Sequence, residues 1–302
     1  MKKNQWWAIG LLFLLSLSGC VNDLNVTPID PDEQTSADVY KTKQGYFGVL
    51  AKLYGGLALT GQQGPAGQGD IGGIDEGFSS YLRAYWYHQE LTTDEAVIGW
   101  NDQTIKDFHE QDWGASDIFI RGMYSRIFYQ ITLANELIRN GQGSSDADIQ
   151  KYVAEARFLR ALSYWHALDL FANPPFVTEK DKVGSFSPRQ TNRKELFNYL
   201  ESELKDIENK LDDPRPAPNA ATYGRANKAA AWMLLAKLYL NAEVYIGEKK
   251  YTEAITYCNK IINSNAYRLN ANYAHNFLAD NHTSPEFIFT VNFDGRLTQT
   301  YG

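Results

Sequence analysis

Cysteine is nearly absent from this 302-residue chain, which has only Cys20 and Cys258. Two cysteines exclude a disulfide-dense scaffold and a Cys-rich metal site. Proline is sparse at 10 residues, and the 23 glycines follow no repeat. That excludes a collagen-like or low-complexity chain. No run of Lys and Arg occurs and the net charge is −7, so the chain lacks the basic footprint of a nucleic-acid-binding protein. Motifs of catalysis are missing as well. There is no H-E-x-x-H among the five histidines, no G-x-S-x-G elbow and no Gly-Lys-Ser/Thr of a phosphate loop. A glycosidase-type carboxylate pair depends on separation in space, so counting Asp and Glu leaves that chemistry open.

What is abundant is aromatic surface. Seven Trp, 19 Tyr and 15 Phe make 14% of the chain, and hydrophobic residues make 44%. That composition excludes wholesale disorder.

The first twenty residues read as a targeting segment. Lys2 and Lys3 precede a short apolar stretch, Trp6 to Leu17, which falls short of the ~20 residues a membrane-spanning helix needs. Leu17-Ser18-Gly19-Cys20 then matches a bacterial lipobox. Cleavage before Cys20 leaves that residue as the N-terminus, with lipid (palmitate among its acyl chains) on sulfur and amine. Several acyl chains anchor stably where one does not. The expected organisation is a signal peptide over 1–19, a lipid-anchored tether over 20–36 and a folded domain over 37–302. With Cys20 lipidated, Cys258 has no partner. Its setting, Ala254-Ile255-Thr256-Tyr257-Cys258, predicts a small buried hydrophobe on a helix.

Helical periodicity marks 37–60, 118–139, 147–172, 193–211, 225–246 and 251–264. Seven glycines from Gly61 to Gly77 exclude helix there. The aromatic segment 81–90 and the stretch 92–117 read as loop-like. Glu286 to Val291 reads as a strand, being β-branched and aromatic. Ala-rich helix pairs with aromatics between them predict a mostly α, tetratricopeptide-like helical repeat with long loop insertions and minor β. Such arrays are scaffolds for binding partners.

Gly67-Gln68-Gly69-Asp70-Ile71-Gly72 matches G-x-G-x-x-G, but no strand precedes it and no helix follows, so a dinucleotide site is disfavoured. His166 lies on a helix and reads as a hydrogen-bonded packing residue. The loops over 70–113 hold Trp86, Trp100 and Trp113 beside Asp75, Arg83, Asp94, Asp102 and Gln103. An exposed indole can cover the apolar face of a sugar ring, while carboxylate, amide and guanidinium groups take its hydroxyls. The alternative is that these aromatics pin long loops onto the helices.

Ala154-Glu155-Ala156-Arg157-Phe158-Leu159-Arg160-Ala161, with Tyr164, Phe171 and Pro174-Pro175-Phe176 after it, resembles the SusD/RagB family signature. So do Ala229 to Leu240, Tyr251 to Tyr267 and Ser284 to Phe289. The resemblance covers the whole chain after the lipobox. It implies a non-enzymatic, lipid-anchored protein at the outer-membrane surface, without a cofactor. Such a protein binds glycans and caps a SusC-like TonB-dependent transporter. The Gly-rich segment and Leu91 to Ala96 resemble the family's starch-binding member, which implies starch or maltooligosaccharides as ligand. The resemblance carries over Trp100 as stacking platform, Arg83 and Asp75 as hydroxyl partners, Gln103 as an amide partner and Tyr301 as a second arc residue. A family member for another glycan or a glycoprotein, or a scaffold with no ligand of its own, are the alternatives. Asp-rich loops permit a structural calcium ion. Family members continue past Gly302, so the chain is expected to be truncated at that end.

Overall fold

The computed structural model describes residue 30 and residues 34–62, 69–184, 186–215 and 222–299. Cys20, Tyr301, the leader and most of the tether lie outside the described residues. The chain divides into two units, Met1–Thr42 and Lys43–Gly302. In the first, a single turn α1 (Ser36–Val39) carries a capping box in which Thr35 and Asp38 satisfy each other's backbone.

The second unit is helical. Its elements are α2 (Lys43–Ala58), α3 (Tyr81–Glu90), α4 (Gln103–Glu110), α5 (Ile118–Gly141), α6 (Ala147–Phe171), α7 (Arg193–Ile207), α8 (Lys228–Leu240), α9 (Ala242–Ile246) and α10 (Tyr251–Asn263). Side-chain caps set the starts of four of these helices. The side chains of Asp117, Asp146, Asn192 and Asn227 accept from the first free amides of α5, α6, α7 and α8. Helix α6 ends at Ala172, whose φ is positive at 60°, and Pro174-Pro175 prevents resumption.

Helices α5 and α6 pack side by side along their lengths, α7 lies on α6, α2 crosses both α5 and α6, and α10 pairs with α8. Helix α6 is the centre. Its Ala154, Ala156, Ala161, Tyr164, Ala167 and Leu168 are buried on more than one side. Small residues there admit close helix approach, and Gly141 does the same at the end of α5. A Cβ on Gly141 would sit 2.6 Å from Val153 Cγ2 and 3.2 Å from Tyr46 Cε1.

The charged residues of the α6 signature tie the helix to its neighbours, with Arg157 and Arg160 sharing one carboxylate. Glu155 accepts from Tyr54 of α2 at 2.6 Å and pairs with Arg225, which precedes α8. Arg157 grips Glu203 of α7 with two hydrogen bonds, 2.8 and 2.7 Å, and Asp206 with a third. Arg160 donates to Glu203 at 2.8 Å, to Asn135 of α5 at 2.6 Å and to Glu179. Burial alone would raise the Glu203 carboxyl. The hydrogen bond from Arg157 and the Arg160 charge overcome it and hold the group below its ordinary value.

Five readings are corrected. Residues 81–90 form a helix, α3, because Tyr81, Ala84 and Tyr87 fall on one buried stripe. The stretch 92–117 contains α4, with only Ile105 and Phe108 buried. The segment 225–246 breaks at Asn241, whose amide bonds both Lys237 and Tyr239 carbonyls and tightens the turn. Glu286 to Val291 is not a strand. Among the described residues only isolated bridges occur, Pro175 with Gln190 and Asp212 with Asn227, so the segment has no ladder partner. Its Phe289 packs instead against Phe158 and Tyr54. Cys258 is exposed, because α10 turns Ala254, Tyr257 and Ile261 inward and leaves Cys258 on the outer side.

His166 is the packing residue expected of it. Its Nδ1 lies 2.8 Å from the Tyr81 hydroxyl, and Tyr85 lies 4.2 Å away ring to ring. Burial, and then the Lys237 charge, lower its pKa from 6.5 to about 3.

Three outcomes follow. Gly141→Ala lowers stability by about 1–3 kcal/mol through overpacking, despite alanine's better helix propensity, as chemical denaturation would report. Glu203→Ala leaves two arginines without their shared carboxylate and costs about 3–5 kcal/mol in the same assay. The unfolded chain takes up a proton at His166 below about pH 6.5, while the folded chain refuses it until about pH 3. Stability therefore decreases as the pH is lowered across that window, from about 6.5 towards 3, and His166→Gln flattens the slope.

Candidate functional site

Helix α3 follows the glycine-rich loop and presents two faces. The inner one carries Tyr87, whose ring stacks on Phe119 at 4.8 Å and 14°. Around this pair a separate apolar base forms from Leu91, Ile105 and Phe108, with Phe78 and Ile98 against it. The base therefore joins α3, α4 and the start of α5, and the loops between them lie over it.

Arg83 sits one turn before Tyr87 and is fixed by three contacts. Its Nη1 donates to the Gly77 carbonyl at 2.7 Å, its Nε donates to the Tyr87 hydroxyl, and its guanidinium carbon lies 5.3 Å from the centre of the Trp100 ring. Such a cation–π pair is worth about 0.5–1 kcal/mol where exposed. Gly77 is itself held by Asp75, whose carboxylate accepts the Gly77 amide at 2.6 Å. Asp75, Gly77, Arg83 and Trp100 thus form one connected chain of contacts. Trp100 is 50% exposed at its end.

Of the residues singled out by sequence, the structure brings Asp75, Arg83 and Trp100 together. Gln103 starts α4, and its amide donates along the helix to Asp107 at 2.7 Å rather than to Trp100 or Arg83. Trp113 stacks on Phe108 at 5.7 Å and Trp86 meets Tyr87 edge-on at 6.0 Å, and both remain more than 40% exposed. Trp86 lies on α3, not in a loop. Tyr87 and Gly77 escaped the sequence reading, although the i, i+4 spacing of Arg83 and Tyr87 signals their contact once α3 is known to be a helix. Burial raises the Tyr87 phenol and the neighbouring Arg83 charge offsets part of that rise, so Tyr87 stays protonated and holds the guanidinium as a neutral acceptor.

The arrangement offers a flat apolar face and a fixed fork of N–H donors side by side. That pairing suits a ring with one apolar face and polar substituents at its edge. Among the described residues no group of three His, Cys, Asp or Glu could hold a metal ion, and no helix is long and apolar enough to cross a membrane.

No family model matches the sequence. The chain is 39% identical over 306 aligned positions to the starch-binding protein SusD of Bacteroides thetaiotaomicron, covering 99% of this chain and 53% of that protein. The chain therefore spans about half the length of this relative. A SusD-like carbohydrate-binding protein from Bacteroides fragilis superposes with a TM-score of 0.67 at 21% identity, over 83% of this chain and 46% of that one. Surface glycan-binding protein A from B. thetaiotaomicron, in complex with laminarihexaose, superposes with a TM-score of 0.64 at 18% identity, over 84% and 50% of the two chains. These two share the helical fold. With sequence identity sustained along its whole length and the fold in agreement, the chain belongs to the SusD family.

Proposed function

We propose that the chain belongs to a non-catalytic glycan-binding protein of the bacterial surface, with starch or maltooligosaccharide as its ligand. The observation that carries this reading is the half-exposed Trp100 face beside the clamped Arg83 guanidinium. A pre-positioned aromatic and donor pair loses little side-chain entropy on binding. Trp100 stacks on a glucose ring, Arg83 donates to ring hydroxyls, and Asp75 sets the loop that aims Arg83. Gln103 and Tyr301 supply further polar and aromatic contacts along the same oligosaccharide. The starch-binding name of the 39% identical relative supports an α-1,4-glucan. Cys20 carries the lipid anchor at the outer membrane, and a SusC-like TonB-dependent transporter receives the glycan. A second reading, a β-1,3-glucan, is favoured by the superposable protein that binds laminarihexaose.

Isothermal titration with maltoheptaose, laminarihexaose and cellohexaose separates the readings. Maltoheptaose is expected to bind tightest, and Trp100→Ala to weaken it at least tenfold, about 1.4 kcal/mol, with the circular dichroism unchanged. Tighter laminarihexaose binding selects the second reading. Retained affinity in Trp100→Ala shows that Trp100 only anchors its loop.

A further inference from the structure

The family signature on α6 leaves something over after its structural work. Beside Arg157 and Arg160, between α6, α7 and the segment that follows Phe176, lies a cavity of about 350 Å³. Arg157 spends all its nitrogens, on Glu203 and Asp206. Arg160 does not. Its two terminal nitrogens are bonded, but its Nε is buried with no partner, on a residue only 2% exposed. Tyr199, which faces the same cavity from α7, also has a buried hydroxyl with no partner. Lys180 lines the cavity too, and its ammonium has no carboxylate within 4 Å among the described residues.

Two buried donors, Arg160 Nε and the Tyr199 hydroxyl, therefore lack an acceptor, and the exposed Lys180 adds positive charge beside them. An unpaired buried donor costs about 1–3 kcal/mol, and native proteins seldom leave one without a partner. The charges agree. The lining holds Arg157, Arg160, Lys180 and Lys210 against Glu179 and Glu203, and Asp206 bridges Arg157 and Lys210 from just outside. One positive charge remains, in a chain whose net charge is −7.

We propose that this cavity binds a small oxyanion, best matched by an organic carboxylate. One carboxylate oxygen accepts from Arg160 Nε and the other from the Tyr199 hydroxyl, while Lys180 balances the charge. The volume exceeds the ~30 Å³ that one water occupies in the liquid several-fold, so the carboxylate can carry a body the size of a monosaccharide. The cavity shares no residue with the Trp100 cluster, and the proposal does not depend on what that cluster binds.

Thermal unfolding of the full chain tests it, with sodium glucuronate, sodium acetate, sodium phosphate and uncharged glucose at ionic strength held constant with chloride. Glucuronate and acetate should raise the midpoint saturably and glucose should not. A response to phosphate alone overturns the carboxylate assignment. Arg160 variants risk unfolding, so Tyr199→Phe and Lys180→Met are the informative changes. Tyr199→Phe removes an unpaired hydroxyl and should leave the ligand-free midpoint unchanged or higher, while weakening glucuronate binding at least tenfold. No response beyond chloride, equal responses to glucose and glucuronate, or full retention of binding in both variants overturns the proposal.

Discussion

The fold depends on the ionic core of α6. Glu155, Arg157 and Arg160 occupy one and a half turns of a single helix and together reach several neighbours, the two arginines sharing Glu203. Through them α2, α5, α7, the approach to α8 and the loop at Glu179 are indexed to one rod. Apolar burial supplies the bulk driving force but is poorly directional. Buried charges impose direction, because a slipped register would strand a carboxylate or guanidinium without its counter-charge. Here every neighbour of α6 has a polar address as well as an apolar face, so insertions between helices can vary without shifting the rod.

The proposed glycan platform is built on a second, smaller core. Tyr87, Phe108 and Phe119 form a base that belongs to α3, α4 and the start of α5, and Trp100 rises from the loop across it. The two cores meet through α5, which starts in the aromatic base and ends against Val153 and Tyr46. Rigidity at the platform is thus inherited. Arg83 is aimed by a buried phenol, a carbonyl and an Asx turn, and none of these groups needs to move when a sugar arrives. The same division separates roles among the aromatics. Tyr164 and Tyr239 are fully buried between helices, while Trp86 on α3 and the loop-borne Trp100 and Trp113 keep a large exposed area.

Much of this was legible beforehand, for local reasons. Asp117, Asp146 and Asn192 announce helix starts, and Pro174-Pro175 a helix end, so α5, α6 and α7 fall where periodicity places them. Helix α3 was obscured because Tyr, Trp and His crowd it, and such residues are indifferent helix formers. Helix α4 was obscured because eight residues with two apolar anchors carry little periodic signal. The strand reading of 286–291 failed for the opposite reason. Its residue types suit a sheet, but a sheet needs a neighbour, which no local pattern reveals. Trp100 and Arg83 could be singled out by composition and resemblance, yet their contact, and the Tyr87 hydroxyl beneath it, required the fold. Arg160 and Tyr199 lie 39 positions apart on different helices, and nothing in either segment announces their shared cavity.

The central claim is that a pre-aimed indole and guanidinium form the carbohydrate platform. A crystal structure of the chain soaked with maltoheptaose tests this most directly. The expected result is a glucose ring lying flat on Trp100, with Arg83 donating to its hydroxyls and still held by Gly77 and Tyr87. Ordered sugar elsewhere on the molecule, with the face of Trp100 bare, would contradict the claim.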